Sequence, residues 1–276
     1  MDIKKITRRN FLEKIAIASA SLPLVGISGC PSFPTSPAKN LSYGPNLCDM
    51  AWPISLEQPY IDPTKKLPVI AFFHGGAWTD LWGDKSVYFS ELQRIADKGF
   101  VVCSFNFSNY YPESIDNIQT AINWASSLPH IDYNKIIMVG ESSGGHLATK
   151  VAWDNPNIYA VVSHSGIYDL MSAEHPFIVK SLERTLGYTK KQKPFQWYYA
   201  SSINYINSNS PQTMLMENYP DRLMPLEDTM EAVNKLNQYE VPIQHHRILG
   251  EDHASMNNRQ LWWDILDQYL ESVTSK

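Results

Sequence analysis

Gly140-Glu141-Ser142-Ser143-Gly144 places a serine between small residues, directly after the apolar run Ile136-Ile137-Met138-Val139 and at the start of a helical pattern. A strand that turns sharply into a helix lifts the central hydroxyl into the open, and flanking glycines let that turn close. The start of the following helix favours negative charge nearby. This is a setting for nucleophilic catalysis through Ser142; the other reading of the same residues is a Gly/Ser-rich turn without chemistry. A second glycine-rich stretch, His74-Gly75-Gly76-Ala77-Trp78, follows another apolar run. Acyl transfer concentrates charge on one oxygen, and backbone amides are suited to receive it. The expected donors are the N–H groups of Gly76, Ala77 and Ser143, with Gly75 permitting the turn. An ordinary Gly-Gly loop is the alternative.

A serine hydroxyl is a poor nucleophile until a histidine takes its proton, and a carboxylate must orient that imidazole. Eight histidines compete for the role. His74 and His146 belong to the two glycine-rich motifs and are expected to support loop geometry. His245 and His246 are neighbours in a predicted strand and point to opposite faces. His130, His164 and His175 have no distinguishing context. His253, in Leu249-Gly250-Glu251-Asp252-His253, falls just past the last predicted strand, and Asp221 holds the equivalent place after the run 212–216. Asp252 and Glu251 are rival acids, although a residue beside a histidine rarely reaches around to its Nδ1. The expected set is Ser142, Asp221 and His253, in the chain order of an α/β-hydrolase.

The elements that must position these residues alternate. Largely apolar runs predict strands over 67–73, 100–107, 135–139 and 158–164, and two further strands are expected over 212–216 and 242–249. Helical spacing predicts helices over 85–98, 114–128, 143–153, 226–238 and 256 to about 272. Repeated strand–helix units imply an α/β fold: a mostly parallel central sheet with helices on both faces. The stretch Asp169–Ser210 breaks the rhythm and is rich in aromatic residues. Ligands bind beyond the carboxyl ends of such strands, so this insertion is a candidate wall of a substrate pocket, or else a local packing element. Trp78, Trp82 and Trp197 could line that pocket or belong to the core.

The chain has 276 residues, 43% of them hydrophobic and only 18% charged, which argues for a packed core and against disorder. A net charge of −5 leaves no large basic footprint for nucleic acid. Three cysteines are too few for a disulfide scaffold, and no Cys/His cluster has zinc-ligand spacing, so no metal is expected. Cys103 reads as a buried core thiol, with a bridge to Cys48 left open.

Residues 1–29 read as an export signal. Lys4, Lys5, Arg8 and Arg9 form a positive region, followed by an uncharged stretch, 15–28, that is shorter than the ~20 residues a membrane span needs. Thr7-Arg8-Arg9-Asn10-Phe11-Leu12 resembles a twin-arginine signal, and Ile27-Ser28-Gly29-Cys30 resembles the lipobox of bacterial lipoproteins. The expectation is lipidation at Cys30, export, and anchoring to a bacterial membrane on its periplasmic or outer side. Residues 30–45, rich in Pro and Ser, would form a tether to a catalytic domain over 46–276.

From about Leu67 to its C-terminus the chain resembles an α/β-hydrolase of the carboxylesterase and hormone-sensitive-lipase-like group. Within that group it is similar to the bacterial feruloyl and acetyl-xylan esterase-like enzymes. His74–Trp78 matches the oxyanion motif, and Gly140-Glu141-Ser142-Ser143-Gly144-Gly145-His146-Leu147-Ala148 matches the nucleophile elbow. Ala200-Ser201-Ser202-Ile203-Asn204-Tyr205 resembles the segment before the acid-bearing strand. One departure stands out: where the family carries His-Gly before the acid, this chain has Glu217-Asn218-Tyr219-Pro220, which loosens the placement of Asp221 by about a residue. The resemblance implies a serine esterase acting through an acyl-enzyme on a small-molecule ester, without a cofactor. His74–Trp78 with Asp84-Lys85 also resembles the kynurenine formamidases, whose amide substrate is cytosolic. A reading from another class is a surface lipoprotein that keeps the fold as a binding module.

Overall fold

Strand β2 (Leu67–Phe73) sends Val69, Ala71 and Phe73 to one face and Ile70 and Phe72 to the other, and all five are fully buried. An apolar run without alternation is what a strand covered on both sides requires. The protein is seen here as a computed structural model that describes residues 48–51, 66–79, 83–128, 130–250, 252–253 and 259–275.

The remaining strands are β1 (Cys48–Ala51), β3 (Val101–Phe105), β4 (Ile131–Glu141), β5 (Ala160–His164), β6 (Gln212–Tyr219) and β7 (Ile243–Leu249). Among the described residues they form a seven-stranded sheet in the order β1-β3-β2-β4-β5-β6-β7, antiparallel there only at the β1–β3 edge. One face is covered by α2 (Glu113–Ser126), α3 (Ser143–Ala152) and α6 (Leu226–Gln238), whose Ile118, Leu147 and Leu236 join the same core as Phe73. The other is covered by α1 (Phe89–Ala96) and α7 (Arg259–Thr274), which bring Leu92, Ile95, Leu266 and Leu270 against Phe72 and Val139. The expected α/β architecture is the observed one. Among the described residues no helix is long and apolar enough to cross a membrane.

Three differences from the sequence reading have local causes. Helix α1 begins at Phe89 rather than near Lys85 because Asp84 Oδ1 accepts from both the backbone N–H (2.7 Å) and the hydroxyl (2.6 Å) of Ser86, which holds a turn there. Strand β1 carries too short a signal to be read. Strand β6 continues three residues past Met216, through the stretch taken as a connection, because Glu217, Asn218 and Tyr219 pair with β7.

The 169–210 insertion folds as α4 (Pro176–Leu186), α5 (Pro194–Ala200) and short 3-10 turns at Leu170–Ser172 and Ser202–Tyr205. Its root is tied by the buried carboxylate of Asp228 in α6, which accepts from the backbone N–H groups of Tyr168 and Asp169, both at 2.6 Å. Trp78 and Trp197 belong to the core, while Trp82 and Cys30 lie outside the described residues. Cys48 and Cys103 are both buried and free, and a hydrogen bond with the Cys48 thiol, together with burial, raises the pKa of Cys103.

Candidate active site

The carboxyl ends of β2, β4, β5 and β6 lie along one edge of the sheet, and the candidate residues follow them. Strand β4 ends at Glu141, and Ser142 turns the chain into α3 with φ 51° and ψ −117°. Such a backbone costs on the order of 1–3 kcal/mol outside glycine and persists only when its surroundings impose it. Here the Ser142 N–H donates to the carbonyl of His164 at 2.8 Å, and the His146 N–H donates to the carbonyl of Ser142 at 3.0 Å. The elbow also needs two glycines for space. A Cβ at Gly140 would lie 2.3 Å from the carbonyl oxygen of Gly144, and one at Gly144 would lie 2.1 Å from that of Phe73.

The structure brings Ser142, His253 and Asp221 together. Ser142 Oγ lies 2.9 Å from His253 Nε2, and His253 Nδ1 lies 2.8 Å from Asp221 Oδ2. The other carboxylate oxygen of Asp221 accepts from the backbone N–H groups of Leu223 (2.8 Å) and Met224 (2.9 Å), which fixes its orientation. The extension of β6 delivers Asp221 two residues beyond its end. The rival Asp252 turns away from the imidazole ring. Its carboxylate accepts from the backbone N–H (3.0 Å) and Nε (2.5 Å) of Arg222 and from the backbone N–H of His253 (2.8 Å). These bonds hold its pKa down at about 2. Glu251 lies outside the described residues.

Gly75, Gly76 and Ala77 line one cavity with Ser142 and His253. The loop turns through positive φ at Gly76 (140°), Ala77 (51°) and Trp78 (54°). Its carbonyls are held by the protein: Gly75 O lies 2.6 Å from His74 Nδ1, and Gly76 O accepts from the N–H and hydroxyl of Thr79, both at 2.9 Å. A Cβ at Gly75 would come within 3.3 Å of the Ser142 Cβ, so this backbone passes directly over the serine. Ser143 follows Ser142 as the first residue of α3 and is not among the residues lining the cavity.

The cavity encloses about 330 Å³. Phe177 and Ile178 of the insertion form one wall, with Val87 and Leu223, and Tyr88 and Glu141 supply a polar pair in which the phenol donates to Glu141 Oε2 at 2.7 Å. The wall supplied by the 169–210 insertion agrees with the sequence reading of that stretch, whereas Val87, Tyr88, Glu141 and Leu223 carry no expectation in the sequence. Glu141 had a recoverable signal, as a charged residue flanking the serine in the elbow; the others are brought in by tertiary packing. The motif histidines serve the loops. His74 stacks on Phe107 with ring centroids 4.8 Å apart, and His146 Nε2 lies 2.9 Å from the carbonyl of Ala200, burial pushing its pKa down to about 4.

Comparison with known proteins accords with this architecture. Esterase LipQ of Mycobacterium tuberculosis is 26% identical over 214 residues, which is 67% of this chain and 49% of that protein. Esterase LipC of the same organism is 28% identical over 200 residues, 63% of this chain and 49% of that protein. The chain thus spans about half the length of both relatives. Among solved structures, an acetyl ester-xyloside bifunctional hydrolase from Caldicellulosiruptor lactoaceticus superposes with a TM-score of 0.65 at 22% identity, covering 79% of this chain and 90% of that one. The BD-FAE family profile matches residues 59–236, more than half of the sequence and inclusive of the elbow, the glycine loop and the candidate acid. With its seven-stranded sheet and strand-to-helix serine, the chain is an α/β-hydrolase and belongs to the BD-FAE family.

Proposed function

We propose that the protein is a serine carboxylesterase. The observation that carries this reading is the continuous link from Ser142 Oγ through His253 to Asp221, with contacts of 2.9 and 2.8 Å. Ser142 attacks the ester carbonyl while His253 Nε2 takes its proton, and Asp221 holds the imidazole in the required tautomer and stabilises the imidazolium. The tetrahedral oxyanion is received by the N–H groups of Gly76, Ala77 and Ser143. His253 then gives its proton to the leaving alcohol, and water activated by the same ring hydrolyses the acyl-enzyme. The relatives named as esterases support the reaction class, and the intact serine, histidine and acid favour it over a binding module that has lost its chemistry. The substrate is a small-molecule ester whose acyl or alcohol part fits a cavity of about 330 Å³ with an apolar wall of Phe177, Ile178 and Leu223.

The test is labelling by a fluorophosphonate, which traps an activated serine. The wild type reacts stoichiometrically and Ser142→Ala does not; equal labelling of both rejects the assignment. We further propose that Cys30 carries a lipid anchor and that residues 1–29 are removed on export. The sequence around Cys30 supports this, and incorporation of labelled palmitate by the wild type but not by Cys30→Ala tests it.

A further inference from the structure

His164 touches both halves of the candidate site from the end of β5. Its backbone carbonyl accepts the N–H of Ser142 at 2.8 Å, and β5 lies beside β4 with His164 opposite Glu141. Its side chain works in the other direction. His164 Nε2 lies 3.2 Å from Asn218 Oδ1, and Asn218 Nδ2 donates to the carbonyl of Asp252 at 2.7 Å. Because a carbonyl only accepts, the Asn218 amide has one possible orientation: its NH₂ faces Asp252 and its oxygen faces His164. The hydrogen on the His164 ring therefore sits on Nε2. Both side chains are buried, His164 at 5% and Asn218 at 4% exposure, so neither bond is exchanged with solvent. The ring also packs on Trp262, with centroids 5.3 Å apart.

We propose that His164 is a positioning residue that sets the spacing between nucleophile and base, with Asn218 as its relay to the loop before His253. The inference rests on the esterase reading for its kinetic consequence and deepens it. The peptide that follows the Asp252 carbonyl is the one that carries His253, so the relay fixes the height of the imidazole above the sheet. The carbonyl of His164 fixes the height of Ser142. One residue thus references both partners of the 2.9 Å contact to the same strand end. Asn218 lies in the stretch Glu217–Pro220, where the chain departs from the family resemblance.

Two variants separate this role from simple packing. His164→Phe keeps an aromatic ring against Trp262 and loses the donor; His164→Gln loses the ring but retains an N–H donor on the same side of the backbone. The relay predicts that H164F lowers kcat about 10²-fold, the scale expected of an ångström-sized misplacement, with KM little changed. It predicts that H164Q keeps most of the activity, and that Asn218→Leu matches H164F with no further loss in the double variant. A purely structural ring predicts the reverse order, with H164F the more active, and that order overturns the proposal. Hydrogen exchange at the amides of residues 249–253 gives a readout that needs no turnover: it accelerates in H164F and N218L but not in H164Q. An inactive wild type defeats the esterase reading alone, whereas unchanged exchange in H164F and N218L defeats the relay.

Discussion

Arg222 grips Asp252 through its backbone N–H and its guanidinium, one residue along from the contact between Asp221 and His253. Two adjacent links therefore join the same two loops. Without the outer link, the inner one holds the loop of His253 together with Asn218 and the Gly250 N–H, which donates to the carbonyl of Tyr219 at 2.8 Å. The guanidinium is largely exposed, so Arg222→Ala is expected to cost less than about 1 kcal/mol in stability. It is also expected to lower kcat severalfold, because the loop of His253 loses one of its fixings. Urea unfolding and steady-state kinetics on the same preparation check both.

The sign of the pH dependence of that link is fixed. Asp252 is held at about 2, below the range of a free carboxylate, by the N–H groups of Arg222 and His253. Its contribution to stability is present above the unfolded-state pKa, near 4, and is lost as the pH falls toward 2. The stability difference between wild type and Asp252→Asn should be constant from pH 6 to 5 and shrink below pH 4. Urea titrations at pH 6, 5, 4 and 3.5 test this.

Burial pushes the pKa of His164 down to about 4, so the folded protein keeps this ring neutral while the unfolded chain protonates it near 6.5. Stability is full above pH 6.5 and falls as pH drops toward 4, with a slope of ~1.4 kcal/mol per pH unit for the one proton involved. His164→Gln removes that proton from the balance. Its stability between pH 6.5 and 4.5 should decline less steeply than that of wild type by about that slope, as measured by unfolding at half-unit steps.

The glycines differ in what they tolerate. A methyl at position 144 would collide with backbone oxygen at 2.1 Å, whereas one at Gly99, with φ 102°, meets nothing within 4 Å. Gly144→Ala should destabilise by more than about 3 kcal/mol or prevent folding, since both clashing partners are main chain. Gly99→Ala should cost only the backbone strain, on the order of 1–3 kcal/mol. Thermal unfolding of the two variants checks the order.

Tyr88 donates to the buried carboxylate of Glu141 on the cavity wall. Tyr88→Phe removes one buried hydrogen bond and leaves a Glu141 oxygen without that donor, so the expected loss is about 1–3 kcal/mol of stability. Glu141 borders Ser142, so kcat should fall as well. Urea unfolding and ester hydrolysis by this variant check both.

The parts of this site that could be read in the sequence are those whose geometry is local. The elbow announces itself because Gly140 and Gly144 are needed within a single turn, and His253 because it lies just past the last strand, on a loop at the carboxyl edge of the sheet. The register of Asp221 is less legible, since the polar residues Glu217 and Asn218 hide the last pairs of β6 with β7. His164 left no trace of its role, because each of its contacts reaches a residue distant in the chain, and burial alone does not distinguish it from a core histidine. The insertion is legible as a candidate wall, but which of its residues face the cavity is not: Phe177 and Ile178 reach it through the packing of the insertion, which Asp228 ties down from a helix far along the chain.

The most direct test of the central claim is the mass of the intact protein after exposure to a fluorophosphonate, followed by peptide mapping. The account predicts one adduct per chain, located on Ser142, with labelling slowed by several orders of magnitude in His253→Ala. An adduct on another residue, or labelling of His253→Ala at the rate of wild type, would contradict it.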